Sequence, residues 1–420
     1  MPEKRKISWT RGSLPVFLVL ISICSCARPG LVSRKYNEDF YHVENLLPGG
    51  TVSGNQRFLV YGDNQSAWRL HRSFSRESWS SRKMFIFPFY QLYLIGNGLT
   101  GAVNYMRMVP DHGGRERRDV RDELYRTARD RDVSFILNVG DICAHDGRIP
   151  SHWAVFLKEY REEMPLLDEI PYITISGNHE MTNDIDFGLA NYRSIFGREL
   201  FDTIEMENAL LILLDSNLII DQKQMIEDDR QDELFRKWFV SGEDDPPSWL
   251  EEKISANTRP FIIVAMHHPL LTYSVHSEDW MNGDYGRKLH DKRVKLLRLL
   301  ASNHVQVVFS GHDHLYQHTV FRSGGGVTNL IIGGGGGGWL RDIIEEKERG
   351  MIDSLFSASG DTTLLADHGK FHHFELVDVN KKSITIEVIK SGVRGEDEQL
   401  HSILDILPDG TSRKKRERTK

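Results

Sequence analysis

Short apolar runs alternate with amphipathic stretches along most of this chain, and the apolar runs end abruptly on polar residues. Residues 57–61, 133–139, 172–175, 261–266 and 305–309 are β-type apolar runs of strand length, each followed closely by Gly or Pro. In residues 115–130, Val120, Leu124 and Ala128 recur at every fourth position, which predicts an amphipathic helix before the second run. Residues 153–163, 231–240 and 288–300 read as further helices. Residues 209–214 form another apolar run, closed by Asp215-Ser216-Asn217 as a structural strand end. Residues 327–332 read as a strand leading into the glycine run 333–338 and Trp339. Residues 371–379 and 383–389 alternate apolar and polar around Asn380-Lys381-Lys382, which predicts a terminal hairpin. Residues 341–369 are polar and read as a lid or crossing loop. Alternation of strand and helix argues for α/β layers.

The chemistry sits where the runs stop. The first runs into Gly62-Asp63-Asn64-Gln65, the second into Gly140-Asp141, and the third into Gly177-Asn178-His179-Glu180. The fourth runs into His267-His268-Pro269 and the fifth into Gly311-His312-Asp313-His314. Ligands of α/β sheets gather at the carboxyl ends of strands. The topology therefore delivers carboxylate, amide and imidazole groups to one rim. A mixed oxygen and nitrogen set without thiolate suits Mn, Fe or Zn.

Taken in this order, over about residues 57–340, these motifs resemble the calcineurin-like metallophosphoesterase superfamily. The resemblance implies a four-layer αββα sandwich of two mixed β-sheets flanked by helices. It implies two divalent or trivalent metal ions (Mn, Fe or Zn) bridged by Asp141. Asp63 and His314 resemble ligands of the first metal, and Asn178, His267 and His312 ligands of the second. His179 resembles the histidine that assists the leaving group while a bridging hydroxide attacks phosphorus in line. Two metals about 3.5–4 Å apart can clamp a phosphoryl group and acidify water near neutral pH. One departure stands out. The family carries His two residues after the first Asp, where this chain has Gln65. The purple acid phosphatase branch has Gly there and a Tyr three residues after the bridging Asp, where this chain has Ala144. Either the Gln65 amide oxygen or His145 completes the first site. His268 and His276 follow the fourth motif and are candidates to meet substrate; His268 reads equally as a supporting residue behind His267. His290 is a further candidate, and Asp313 reads as turned away or orienting a neighbouring histidine. The remaining histidines, including His152, His304, His372 and His373, read as ordinary polar residues.

Size and charge narrow the picture. The chain has 420 residues, 40% hydrophobic and 27% charged, enough for one large globular α/β domain with insertions. A net charge of −7 argues against a nucleic-acid partner held by phosphate contacts. The expected partner is a phosphorylated small-molecule or lipid-linked substrate, hydrolysed as a monoester or diester. The rival is a surface protein of the same fold that binds metal or ligand without turnover, resting on Gln65.

The ends are read separately. Lys4, Arg5, Lys6 and Arg11 precede the apolar stretch 14–23 and then Ile23-Cys24-Ser25-Cys26. Residues 1–26 therefore read as an export signal, either of lipoprotein type with Cys26 acylated or an ordinary cleaved peptide. The implied location is the periplasm or cell envelope, with a secreted soluble protein as the alternative. Residues 27–55 read as a linker, 56–395 as the domain and 396–420 as a polar, basic tail. Within the domain, 84–106 is uncharged and aromatic, broken by Pro88, Gly96, Gly98 and Gly101. It reads as a packed satellite or dimer contact, or as a hairpin dipping into a membrane interface. Cys143, beyond the signal, reads as a packing residue.

Overall fold

The computed structural model describes residues 51–52, 56–66 and 114–416, apart from 145–146, 148–149, 182–184, 198, 219–227, 282, 359 and 394–398. The export signal, most of the linker, the insertion 84–106 and His145 lie outside the described residues. No helix among the described residues is long and apolar enough to cross a membrane.

Two sheets carry the fold. The first contains β1 (Thr51–Val52), β5 (Asp202–Met206), β6 (Ala209–Leu214), β7 (Phe261–Met266), β8 (Val307–Ser310), β9 (Tyr316–Ser323), β10 (Gly326–Gly333) and β11 (Thr362–Gly369). Its order is β1-β5-β6-β7-β8-β10-β9-β11. The second contains β2 (Arg57–Tyr61), β3 (Phe135–Asn138), β4 (Tyr172–Thr174), β12 (His373–Val379), β13 (Ile384–Lys390), β14 (Leu400–Ile406) and β15 (Ser412–Arg416). Its order is β15-β14-β13-β12-β2-β3-β4. Both are mixed: β2, β3 and β4 run parallel, as do β6, β7 and β8, while hairpins supply the antiparallel strands.

Helices cover the outer faces. They are α1 (Arg115–Asp130), α2 (Pro150–Leu157), α3 (Leu166–Glu169), α4 (Asn178–Met181), α5 (Ile185–Phe196), α6 (Asp228–Trp238), α7 (Trp249–Ser255), α8 (Glu278–Met281), α9 (Gly283–Ser302) and α10 (Glu346–Ser357). The alternation of strand side chains sorts them into three cores. Phe58 and Val60 pack between the sheets with Leu211, Leu213, Ile263 and Phe309. Leu59 and Tyr61 face the other way, onto Val120 and Leu124 of α1 and Phe156 of α2. Leu210, Ile212 and Leu214 face Phe235 and Phe239, Leu250, and Leu296 and Leu297 of α9. Strands buried on both faces need continuous apolar runs, which is the pattern the sequence shows. The result is the αββα sandwich. Helix α7 has a full capping box: Ser248 Oγ accepts from Glu251 N at 3.2 Å, and Glu251 accepts from Ser248 N at 2.7 Å.

The structure corrects three readings. The polar stretch 341–369 contains α10 and β11: Ile352 and Phe356, four apart, bury in the outer core, and β11 pairs with β9. The tail from 396 is also part of the fold. In β14, Ser402, Leu404 and Ile406 are buried at alternate positions. Arg413, Lys414, Lys415 and Arg416 lie in the edge strand β15, where charge blunts further pairing. Finally, Thr51–Val52, at the end of the stretch read as linker, pairs in parallel with β5.

Candidate metal centre

The motif-bearing strands deliver their ends to one place, from two sheets. β2, β3 and β4 bring Asp63, Asp141 and Asn178 from the second sheet; β7 and β8 bring His267, His312 and His314 from the first. The rim is therefore a seam between sheets, not the edge of one.

Backbone geometry marks the same residues. Asp63, Gln65, Asp141 and His312 have φ of 60°, 45°, 54° and 68°, in the left-handed region that side-chain-bearing residues rarely occupy. Such strain persists where surrounding structure enforces it, and it clusters at functional sites. Packing enforces it here. A Cβ on Gly177 would meet Asp141 Oδ1 at 2.1 Å, and one on Gly338 would meet His314 at 2.8 Å. The glycine run folds directly onto the centre: Gly338 N donates to Asp63 O at 2.8 Å, and Gly336 N to Gly62 O at 2.9 Å.

The side chains converge on two neighbouring points. On one, Asp63, Asp141 and His314 each offer a ligand atom within 4.8 Å of the others. His314 Nδ1 faces the Trp339 carbonyl at 2.9 Å, which directs Nε2 to Asp63 Oδ1 at 3.4 Å. Gln65 Nε2 stands 3.1 Å from His314 Nε2. Turning the amide over, an assignment set by its partners, points the oxygen at the same spot. On the other point, His267 Nδ1 faces Val139 O at 2.8 Å, leaving Nε2 3.2 Å from Asp141 Oδ1 and 3.0 Å from Asn178 Oδ1. His312 Nδ1 also reaches Asn178 Oδ1, at 2.9 Å. Backbone carbonyls behind two imidazoles fix the tautomer that presents a lone pair inward. The donor set, oxygen and imidazole with Asp141 reaching both points, fits two hard or borderline cations. Cys143 is buried in the helix-side core, and its N–H goes to Glu180.

Electrostatics agree with a cation site. Burial pushes the Asp141 carboxyl up, but the charges of His179 and His267 and their hydrogen bonds hold it net well below the usual carboxylate range. Burial pulls His267 down, yet Asp141, chiefly, raises it to about 10. Burial holds His312 neutral, with the charges of His276 and His268 acting the same way. An array with this much clustered ionisable density is a mark of functional sites.

His179 lies beside the pair, its N–H donating to Asp141 Oδ1 at 3.0 Å and its Nε2 3.6 Å from Asp141 Oδ2. The His276 ring is 4.2 Å, centroid to centroid, from His312, and Asp279 holds its Nδ1 at 2.9 Å. His268 is buried, with Nδ1 2.9 Å from Ser216 Oγ and its ring 4.6 Å from His312, and it offers a ligand atom within 4.8 Å of those of His267 and His312. His290 stacks on Trp280 and meets the Phe356 ring edge-on, with no ring contact to a candidate ligand among the described residues. Asp313 is buried without a hydrogen bond to either flanking histidine. Asp215, which ends β6, is pushed up to about 6 by burial.

Glu180 escaped the sequence reading. Its Oε2 accepts from Asp141 N at 2.9 Å and Gly177 N at 2.7 Å, and its Oε1 from Cys143 N at 2.8 Å. It thus ties the second motif to the third. Burial, then the Asp141 charge, pushes its carboxyl up to about 7. Its signal was its place as the last residue of Gly-Asn-His-Glu. Arg117 was also missed; buried on α1, it pairs with Glu159 at 2.8 Å and donates to the Gln65 carbonyl at 3.2 Å.

Known proteins resemble this chain in sequence and in fold. The chain is 23% identical over 256 residues to human tartrate-resistant acid phosphatase type 5, covering 55% of this chain and 73% of that one. The rat protein of the same name is 24% identical over 230 residues, covering 52% and 65%. In structure, the chain resembles purple acid phosphatase PPD1 from yellow lupin seeds with a TM-score of 0.54 at 15% identity. That match covers 85% of this chain but only 54% of the lupin chain. PhoD matches with a TM-score of 0.52 at 8% identity, over 88% of this chain and 73% of that one. These structural likenesses are in fold. Residues 56–316 match the family model described as calcineurin-like phosphoesterase, a family of metal-dependent phosphoester hydrolases, and the chain belongs to that family.

Proposed function

We propose that this protein hydrolyses a phosphoester, mono or di, at two metal ions held by Asp63, Gln65, Asp141, Asn178, His267, His312 and His314. The observation that carries this reading is the convergence of Asp63, Asp141 and His314 within 4.8 Å, beside the His267–Asn178–His312 set. Metals so bound, Mn, Fe or Zn, would clamp phosphoryl oxygens and acidify a water molecule near neutral pH.

The chain supplies the rest. Asp141 carries the negative charge between the two points, and Asp63 and His314 complete one of them. Asn178, His267 and His312 line the other without adding negative charge, which leaves the centre attractive to an anion. His179, with 24% of its side chain exposed beside Asp141, protonates the departing oxygen. His276, held through Nδ1 by Asp279, directs Nε2 to a phosphoryl oxygen. His268, held by Ser216, props His312. The substrate is a phosphorylated small molecule or lipid-linked phosphate. The N-terminal sequence supports an exported protein of the periplasm or cell envelope, with Cys26 as acylation site; incorporation of labelled fatty acid, lost in Cys26→Ser, tests that.

A second reading rests on Gln65: a protein of this fold that binds ligand without turnover. One assay separates them. The full chain loaded with Mn²⁺ is given the mono- and bis-p-nitrophenyl esters of phosphate, beside Asp141→Asn, with metal content measured. Turnover lost in the variant establishes the esterase. No turnover with one metal or none favours the second reading.

A further inference from the structure

Two loops that each carry a group contacting a candidate ligand are tied together. The loop after β7 and the segment after the glycine run are stitched by an antiparallel bridge between Ser274 and Ile343 and by Ile344 N donating to Tyr273 O at 2.8 Å. Arg341 N donates to His314 O at 2.9 Å, which fastens the second loop to the fifth motif.

Two large apolar side chains lie exposed on these loops, Trp339 at 61% and Val275 at 44%. A single exposed apolar residue is ordinary on any surface. What distinguishes this pair is placement. The Trp339 carbonyl is the group that faces His314 Nδ1, and Val275 immediately precedes His276, whose ring lies against His312. Each is therefore one bond or one residue from a group at the centre, on a different loop. The other large apolar residues exposed among the described residues, Met351, Leu355 and Leu364, lie on α10 and β11. Arg341 follows Trp339 by two residues, its charge acts on His276, and its Nε is buried without a hydrogen-bond partner among the described residues. Cation and imidazole suit a phosphate; an indole face suits a flat ring. Indole stacks on planar rings through its π face and loses little freedom in doing so.

We propose that Trp339, with Val275 on the partnering loop, is the leaving-group subsite of this centre, selecting phosphoesters whose alcohol carries a planar aromatic ring, an aryl group or a nucleobase. The inference rests on the phosphoester reading of the same centre. Arg341 and His276 hold the phosphate end while the ring lies on the indole.

The test is binding, independent of turnover. Benzylphosphonate and ethylphosphonate carry the same anion with and without a ring. Each is titrated calorimetrically into the Mn²⁺-loaded full chain, into Trp339→Ala and into Trp339→Phe. Stacking on one aromatic side chain is expected to favour benzylphosphonate roughly tenfold in the native protein. Trp339→Ala abolishes that preference and leaves ethylphosphonate affinity unchanged; Trp339→Phe retains most of it. A nucleoside 5′-phosphonate, titrated alongside, separates the two ring sources by which one loses more in Trp339→Ala. An unchanged ring preference in Trp339→Ala, or equal loss for both phosphonates, overturns the subsite. If neither phosphonate binds the native protein, the phosphoester reading falls and the subsite with it; binding of both without preference overturns the subsite alone.

Discussion

At the scale of residues, the roles proposed for Asp141 and His179 separate charge from proton transfer. Asp141 reaches both points of convergence, whereas the His179 ring approaches Asp141 alone among the candidate ligands described. Asp141→Asn is therefore expected to remove most hydrolysis and to lower metal content together. His179→Ala is expected to lower kcat by about 10²–10⁴-fold, the usual share of a general acid, with metal content kept. Elemental analysis beside kinetics checks both; equal metal loss in the two variants would contradict the role given to His179. Gln65 offers a neutral amide beside His314 where the family carries imidazole. Gln65→His is expected to tighten the weaker metal, read as slower loss of activity in a chelator.

At the scale of elements, burial tells which sequence signals were legible. The strands buried on both faces announced themselves as continuous runs, and α1 announced itself through Val120, Leu124 and Ala128, all buried. The ligand motifs were legible for the same reason: a strand end is a sharp boundary between apolar and polar. What stayed hidden lacked that contrast. Helix α10 buries Ile352 and Phe356 within a run of Glu, Lys and Arg, and β11 has no buried residue on either face. Strand β15 is held by backbone pairing to β14, which its basic side chains do not reveal. Glu180 stood in plain view at the end of Gly-Asn-His-Glu, but its role was hidden because its partners are backbone N–H groups, set by the turn of the chain and not by residue type. Element packing also predicts a mutation without chemistry. Leu124 is fully buried between α1 and the second sheet. Leu124→Ala is expected to cost about 2–5 kcal/mol in denaturant unfolding, while kcat of the folded fraction stays unchanged.

At the scale of the whole molecule, the centre sits on the seam between two sheets, so its charge state is linked to their union. The His267 pKa is raised to about 10, so its contribution to stability is complete below its unfolded value near 6.5 and lost as pH rises toward 10. The Asp141 pKa is depressed, so its contribution is present above about 4 and lost as pH falls through its folded value. Stripped of metal, the protein is expected to be most resistant to heat between about pH 4 and 6.5, with Tm falling on the alkaline side. Loaded with metal, His267 must be neutral, so binding at pH 7 expels its proton. Calorimetric titration in buffers of different ionisation enthalpy measures that release, and no buffer dependence would mean that His267 stays out of the metal's reach. The left-handed backbone at Asp63, Gln65, Asp141 and His312 carries one more consequence, for inheritance. Each such residue costs on the order of 1–3 kcal/mol, in a fold whose whole margin is only about 5–15 kcal/mol. Gln65→Gly is accordingly expected to unfold at a higher temperature than the native chain. A library selected for heat resistance alone should accumulate glycine at these positions and lose its metal as it does so, so that only continued demand for the metal keeps them occupied.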